Sequence, residues 1–83
     1  KALGDYNKFY QKENYKKNIK EVLIEMIFQL GIKGQLKFKK MNKNIKKNEL
    51  FMAAFEMKNS IWYLQTPKRV NILINILLKK NYE

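Results

Sequence analysis

The sequence predicts an all-α fold, a compact multi-helix lobe packed around one central buried helix. Three observations predict it. From Lys16 to Leu30, apolar residues at 19, 22, 23, 26, 27 and 30 recur at the i, i+3, i+4, i+7 spacing of a helix face. From Thr66 to Leu78, Val70, Leu73, Ile74, Leu77 and Leu78 repeat that spacing. Nowhere do four or more residues alternate cleanly between apolar and polar outside a better helical pattern, so strand signals are weak. The 83 residues, 46% hydrophobic, suit one small domain spanning 1–83.

Taken in order, residues 1–14 are polar with interleaved aromatics. Leu3, Tyr6 and Phe9 are three apart, but Gly4 weakens a helix, so a peripheral helix or strap is expected there. The 16–30 helix is next. Ile24 and Phe28 widen its apolar surface, which makes it the central element, with neighbours on several sides. Gly31 is suited to end it, and Gly31 to Gly34 reads as a turn. Leu36, Phe38, Met41 and Ile45 space a short helix with lysines all round it. Asn48 is placed to cap the next helix, with Glu49 on its positive end. Leu50, Phe51, Ala54, Phe55 and Met57 supply that helix with a buried face, and Asn59-Ser60 closes it. Ile61 to Leu64 is one helical turn. Thr66 as N-cap and Pro67 at the first helical position then open the last helix, which Asn81 can end.

The formal net charge is +11, and 17 of the 18 cations are Lys. That balance favours anionic partners: nucleic acid, lipid headgroups or the acidic polymers of a bacterial cell wall. Abundant Lys, Asn and Ile also fit an A/T-rich gene. The lysine-rich 33–47 segment could track phosphates, yet it lacks exposed stacking aromatics and any helix-turn-helix or zinc pattern. With no Cys and no His, thiolate metal sites, disulfides and the usual general base are excluded. No apolar run approaches the ~18 residues of a membrane span. The chain begins at Lys1 rather than Met, so a fragment or processed product is expected.

The densest motif lies at residues 62–69. It holds the only Trp, Pro, Thr and Arg of the chain: Trp62-Tyr63-x-Gln65-Thr66-Pro67-x-Arg69. With Phe28-Gln29-x-Gly31, Met26, Gly34, Phe38, Ala53-Ala54 and Ser60, it resembles the C-terminal lobe of the phage-type lysozymes, the T-even phage family. The resemblance runs from about Tyr15 to Tyr82, and residues 1–14 resemble nothing recognisable. It implies a parent polypeptide that cleaves the glycan strands of bacterial peptidoglycan, with no metal or organic cofactor. In that family the catalytic Glu, Asp and Thr come from an N-terminal lobe, which no segment here resembles. This chain alone is therefore expected to be inactive.

Three positions carry the family's substrate-facing roles. The resemblance makes Phe28 a glycan contact; from the residues alone, packing beside Trp62 is the plainer reading. It puts Gln29 near the same cleft. It makes Arg69 the arginine that faces the catalytic acid, a role suited to a forked cation that never deprotonates. The residues alone also permit a surface cation there. Met41 and Glu56 stand where the family has small polar substrate contacts. Glu21 and Glu25, at i and i+4, form the one carboxyl pair on a strong helix, a spacing usual on solvated faces. Two other classes stay open: a non-catalytic lysozyme-derived interaction module, and a basic nucleic-acid-binding domain.

Overall fold

The computed structural model describes residues 1–79. Its elements are α1 (Ala2–Tyr10), a 3-10 turn (Gln11–Glu13), α2 (Lys17–Leu36), α3 (Lys39–Lys46), α4 (Leu50–Lys58), α5 (Ile61–Gln65) and α6 (Pro67–Leu78). Among the described residues there are helices and no strands. The Asn81 helix end lies outside them.

The central helix forms for the reason its spacing gives. Ile19, Val22, Leu23, Met26 and Ile27 are all buried, against α1 on one side and α6 on another. Val70, Leu73, Ile74 and Leu77 of α6 close over it, with Met57 and Ala53 of α4 beneath. The start of α2 is also stitched to the end of α6. The Asn18 amide donates to the carbonyls of Leu77 (2.9 Å) and Ile76 (3.3 Å), two of the acceptors a helix end leaves open.

The helical run from Lys17 ends at Gly31, as expected, and a second run of five residues follows in a new direction where a plain turn was expected. Gly31 sits at φ 77°, ψ 161°, a region reserved for glycine. A Cβ would meet no atom within 4 Å, so the backbone angle, not crowding, is what demands glycine.

Beyond the break, Gln35 is completely buried. It joins a closed ring of hydrogen bonds. The Tyr10 hydroxyl donates to Gln35 Oε1, Gln35 Nε2 donates to Asn42 Oδ1 (2.8 Å), and Asn42 Nδ2 donates back to Tyr10 Oη (3.1 Å). Three helices are joined through groups that would each be costly if unpaired. The first fourteen residues are thus more than a strap: Tyr6 and Tyr10 of α1 belong to the core, while Leu3 and Phe9 face solvent. Tyr10 stacks between Tyr6 (5.5 Å) and Tyr15 (6.4 Å).

Other expectations need correcting. Asn48 does not cap α4. It takes a left-handed conformation (φ 62°) and ends α3, with Asn48 N–H on the Ile45 carbonyl and Glu49 N–H on that of Asn44. That pair is the Schellman pattern, which a short polar side chain tolerates. Thr66 occupies the N-cap of α6 without a side-chain bond, leaving Pro67 to start the helix. Ser60, expected only to close α4, caps α5 through Tyr63 N–H at 3.2 Å. Phe51 and Phe55 face out from α4, whose buried side is Ala53, Ala54 and Met57. Leu36 ends α2 rather than starting α3.

Gly31→Ala should cost about 1–3 kcal/mol, the strain of a side chain in that backbone region, read as a lower midpoint in urea. Burial pushes the Tyr10 hydroxyl up to about 12; Tyr15 adds to this and the Gln35 hydrogen bond opposes it. An unfolded tyrosine titrates near 10.0, so above that pH the folded chain keeps a proton that the unfolded chain has lost. Stability should be intact below pH 10.0 and fall as pH climbs toward about 12. Tyr10→Phe should cost about 1–3 kcal/mol at neutral pH, by orphaning Gln35, and flatten that alkaline decline in denaturation at stepped pH.

Candidate functional site

The segment from 62 to 69 folds as two short steps, α5 and the first turn of α6, laid beside α2. Trp62 is buried, with Phe38 edge-on against it at 5.8 Å between ring centres. Its indole N–H donates to Gln29 Oε1 at 3.2 Å. Gln29 Nε2 in turn donates to the Glu25 carboxylate at 3.3 Å. An indole can only donate, so it fixes which end of the Gln29 amide faces it and leaves the amide N–H₂ for Glu25. A chain of polarity thus runs from the buried ring to an acid on the surface.

That acid faces a groove of about 590 Å³ between α2 and α6. Glu21 and Glu25 line it from α2, and Lys68, Arg69, Ile72, Leu73 and Ile76 line it from α6, with Thr66 at one end. Arg69 is exposed, and among the described residues it has no hydrogen-bond or ion-pair partner. Its fork is open to an incoming anion or carboxyl. Glu21 and Glu25 rise from one helix face, so they approach a bound chain from one side only. Glycoside hydrolysis needs an acid and a second carboxylate flanking the bond. The groove sets two carboxylates against two cations over an apolar wall of Ile72, Leu73 and Ile76.

The structure brings Arg69 and Gln29 together through Glu25, which lines the groove and accepts from Gln29. Phe28 is not among the groove-lining residues. It does not pack beside Trp62 either: it is 73% exposed, and Phe38 takes that place. Phe28 lies three residues on from Glu25, on the same outward stripe of α2 as Glu21 and Glu25. Met41 is completely buried and can touch no substrate. Glu56 lies on α4 in a different groove, with Lys37, Lys39 and Lys40. Reading the sequence missed Ile72 and Ile76 as groove walls. Their signal was the position of both beside the buried stripe of α6, in register with Arg69 at i+3 and i+7.

The lysine-rich segment resolves into α3, with Lys39, Lys40, Lys43 and Lys46 outward. Its one aromatic, Phe38, is committed to Trp62, so the face presents charge without a stacking platform. Lys46 pairs with Glu13 at 3.4 Å. Among the described residues, no group of three or more His, Cys, Asp or Glu is placed to hold a metal ion, and no helix is long and apolar enough to cross a membrane.

Two relatives from Dictyostelium discoideum are similar to this chain. One, named Probable T4-type lysozyme 2, is 44% identical over 63 residues, 76% of this chain and 37% of the relative. The other, named Probable T4-type lysozyme 1, is 43% identical over 58 residues, 70% of this chain and 34% of the relative. The chain therefore spans about a third of the length of the curated relatives it matches. No family model and no solved structure matches.

Gln29→Leu should leave the buried Trp62 N–H unpaired. It should cost about 1–3 kcal/mol and shift the emission of the chain's one tryptophan, as fluorescence-monitored unfolding would show.

Proposed function

We propose, from this T4-type-lysozyme-like sequence, that the chain forms the C-terminal lobe of a lysozyme and supplies one wall of its glycan cleft. The substrate is bacterial peptidoglycan. The carboxyls that cleave it come from a segment of the parent outside these residues. The observation that carries the reading is the open guanidinium of Arg69, set in a groove with Glu25, whose carboxylate accepts from Gln29, itself held by Trp62. Those four residues fall in the two motifs that carry the resemblance or next to them.

Each side chain then has a task. Arg69 grips a carboxyl presented from across the cleft, where two parallel hydrogen bonds fix its orientation as well as its charge. Gln29 holds Glu25 in place, and Trp62 holds Gln29. Phe28 offers an exposed ring to the apolar face of a sugar, whose C–H bonds pack on aromatic surface. The known pairing of an acid with a second carboxylate needs both sides of the bond, and this chain offers one. Its relatives' names motivate the substrate; the open groove motivates the division of labour.

The purified chain incubated with cell walls should release no reducing sugar. Release that vanishes with Glu21→Gln would sink the reading. In a parent polypeptide with the full cleft, Arg69→Lys should lower turnover about tenfold or more with little change in stability, since an ammonium keeps the charge and loses the fork. Equal loss in thermal midpoint and activity would assign Arg69 a structural role instead.

A further inference from the structure

On its own, α3 has charge and no stacking ring to spare. The fold brings rings to it from elsewhere in the chain. Phe9, Tyr10 and Tyr15 line a groove of about 370 Å³ from the N-terminal segment, and Lys39, Lys43 and Lys46 line it from α3. The lysine row has a helical cause. Met41 and Ile45 bury one side of α3, and the lysines recur every three or four residues along another. From first to last they climb about 10 Å along the helix axis.

Glu13, the one acid lining this groove, pairs with Lys46 at 3.4 Å. The ammonium groups of Lys39 and Lys43 have no hydrogen-bond or ion-pair partner among the described residues. The core places the rings. Gln35 and Asn42 fix Tyr10, and Tyr15 stacks on Tyr10 at 6.4 Å between ring centres. Phe9 is 46% exposed, with the Lys8 ammonium 5.7 Å from its ring centre. The Tyr15 hydroxyl makes no hydrogen bond among the described residues.

Lysines alone suit any polyanion, and rings alone suit a sugar or an apolar peptide. Both along one groove suit a strand that alternates flat rings with phosphates. A single strand leaves its base faces open to stacking, whereas a duplex buries them in its own stack. The groove lies at the small end of ligand sites, which fits one base and its flanking phosphates.

We propose that this groove binds single-stranded nucleic acid. A base stacks on Phe9, Tyr15 offers its hydroxyl to it, and Lys39 and Lys43 take the flanking phosphates. No lining residue is shared with the Arg69 groove, so each groove can be tested without disturbing the other.

The test is fluorescence anisotropy of a dye-labelled oligothymidylate titrated with the chain. An unlabelled single strand should compete better than a duplex of equal length or inorganic polyphosphate of equal charge. Phe9→Leu keeps apolar bulk at an exposed position and loses the ring. It should weaken binding about fivefold or more while circular dichroism stays unchanged. Lys43→Gln should lower the slope of log affinity against log salt by about 0.7, the loss of one phosphate contact on a single strand. Lys58→Gln, outside the groove, removes the same charge and should change affinity by less than about twofold. Equal competition by duplex or polyphosphate, full binding by Phe9→Leu, or equal losses from Lys43→Gln and Lys58→Gln would overturn the proposal in favour of charge attraction alone. No binding of the oligonucleotide would overturn it outright.

Discussion

The break in α2 at Gly31 is the constraint that the rest of the structure depends on. Before it, the helix presents a buried stripe to α1 and α6 and an outward stripe to the groove. After it, the axis turns and delivers Gln35 to Tyr10 and Asn42. One unbroken helix could not serve both ends, because its faces repeat on a fixed cylinder. A residue without a side chain is what lets the backbone take φ 77° there. The polar ring then ties α1 and α3 to the same helix, so the two halves of α2 organise different partners.

Much of the architecture was legible from spacing. The stripes of α2 and α6 and the Pro67 helix start are local signals, and the helices obey them. The directions of single large side chains were less so. Phe28, Phe51 and Phe55 read as core because they are apolar, but the core beneath them is filled by Met26, Ala53, Ala54 and Met57. Small and flexible side chains took the interior, which left the rings outside. Tyr10, Gln35 and Asn42 were invisible for another reason. Each is an ordinary surface-type residue alone, and only their mutual satisfaction across 7 to 32 positions makes them a core. Asn48 misled because asparagine serves both helix starts and left-handed helix ends.

The groove was partly legible in the same sense. Arg69 stood out as the lone arginine in a lysine-rich chain, and Gln29 as part of a short motif. What the sequence alone could not offer was the intermediary. Glu25 was visible only as half of a solvated i, i+4 pair. In three dimensions it is the residue through which the buried indole of Trp62 touches the groove. Rigidity at a binding wall comes from such inner links, because a carboxylate held by a held amide loses less freedom when a ligand arrives.

The amide of Asn18 has a consequence for the order in which the chain acquires its shape. It spans 58 and 59 positions to reach the carbonyls of Ile76 and Leu77, joining an early helix to the last described one. A polypeptide leaving the ribosome makes α2 long before α6 exists to cover it. During that interval Leu23, Ile27 and their neighbours lack the cover that α6 gives them in the finished lobe. The loop-closure cost of such a distant seam rises only slowly with its length, so the seam itself is cheap. Time is the scarcer resource: the interior of this lobe stays open to passing chains or chaperones until its final strand of helix emerges.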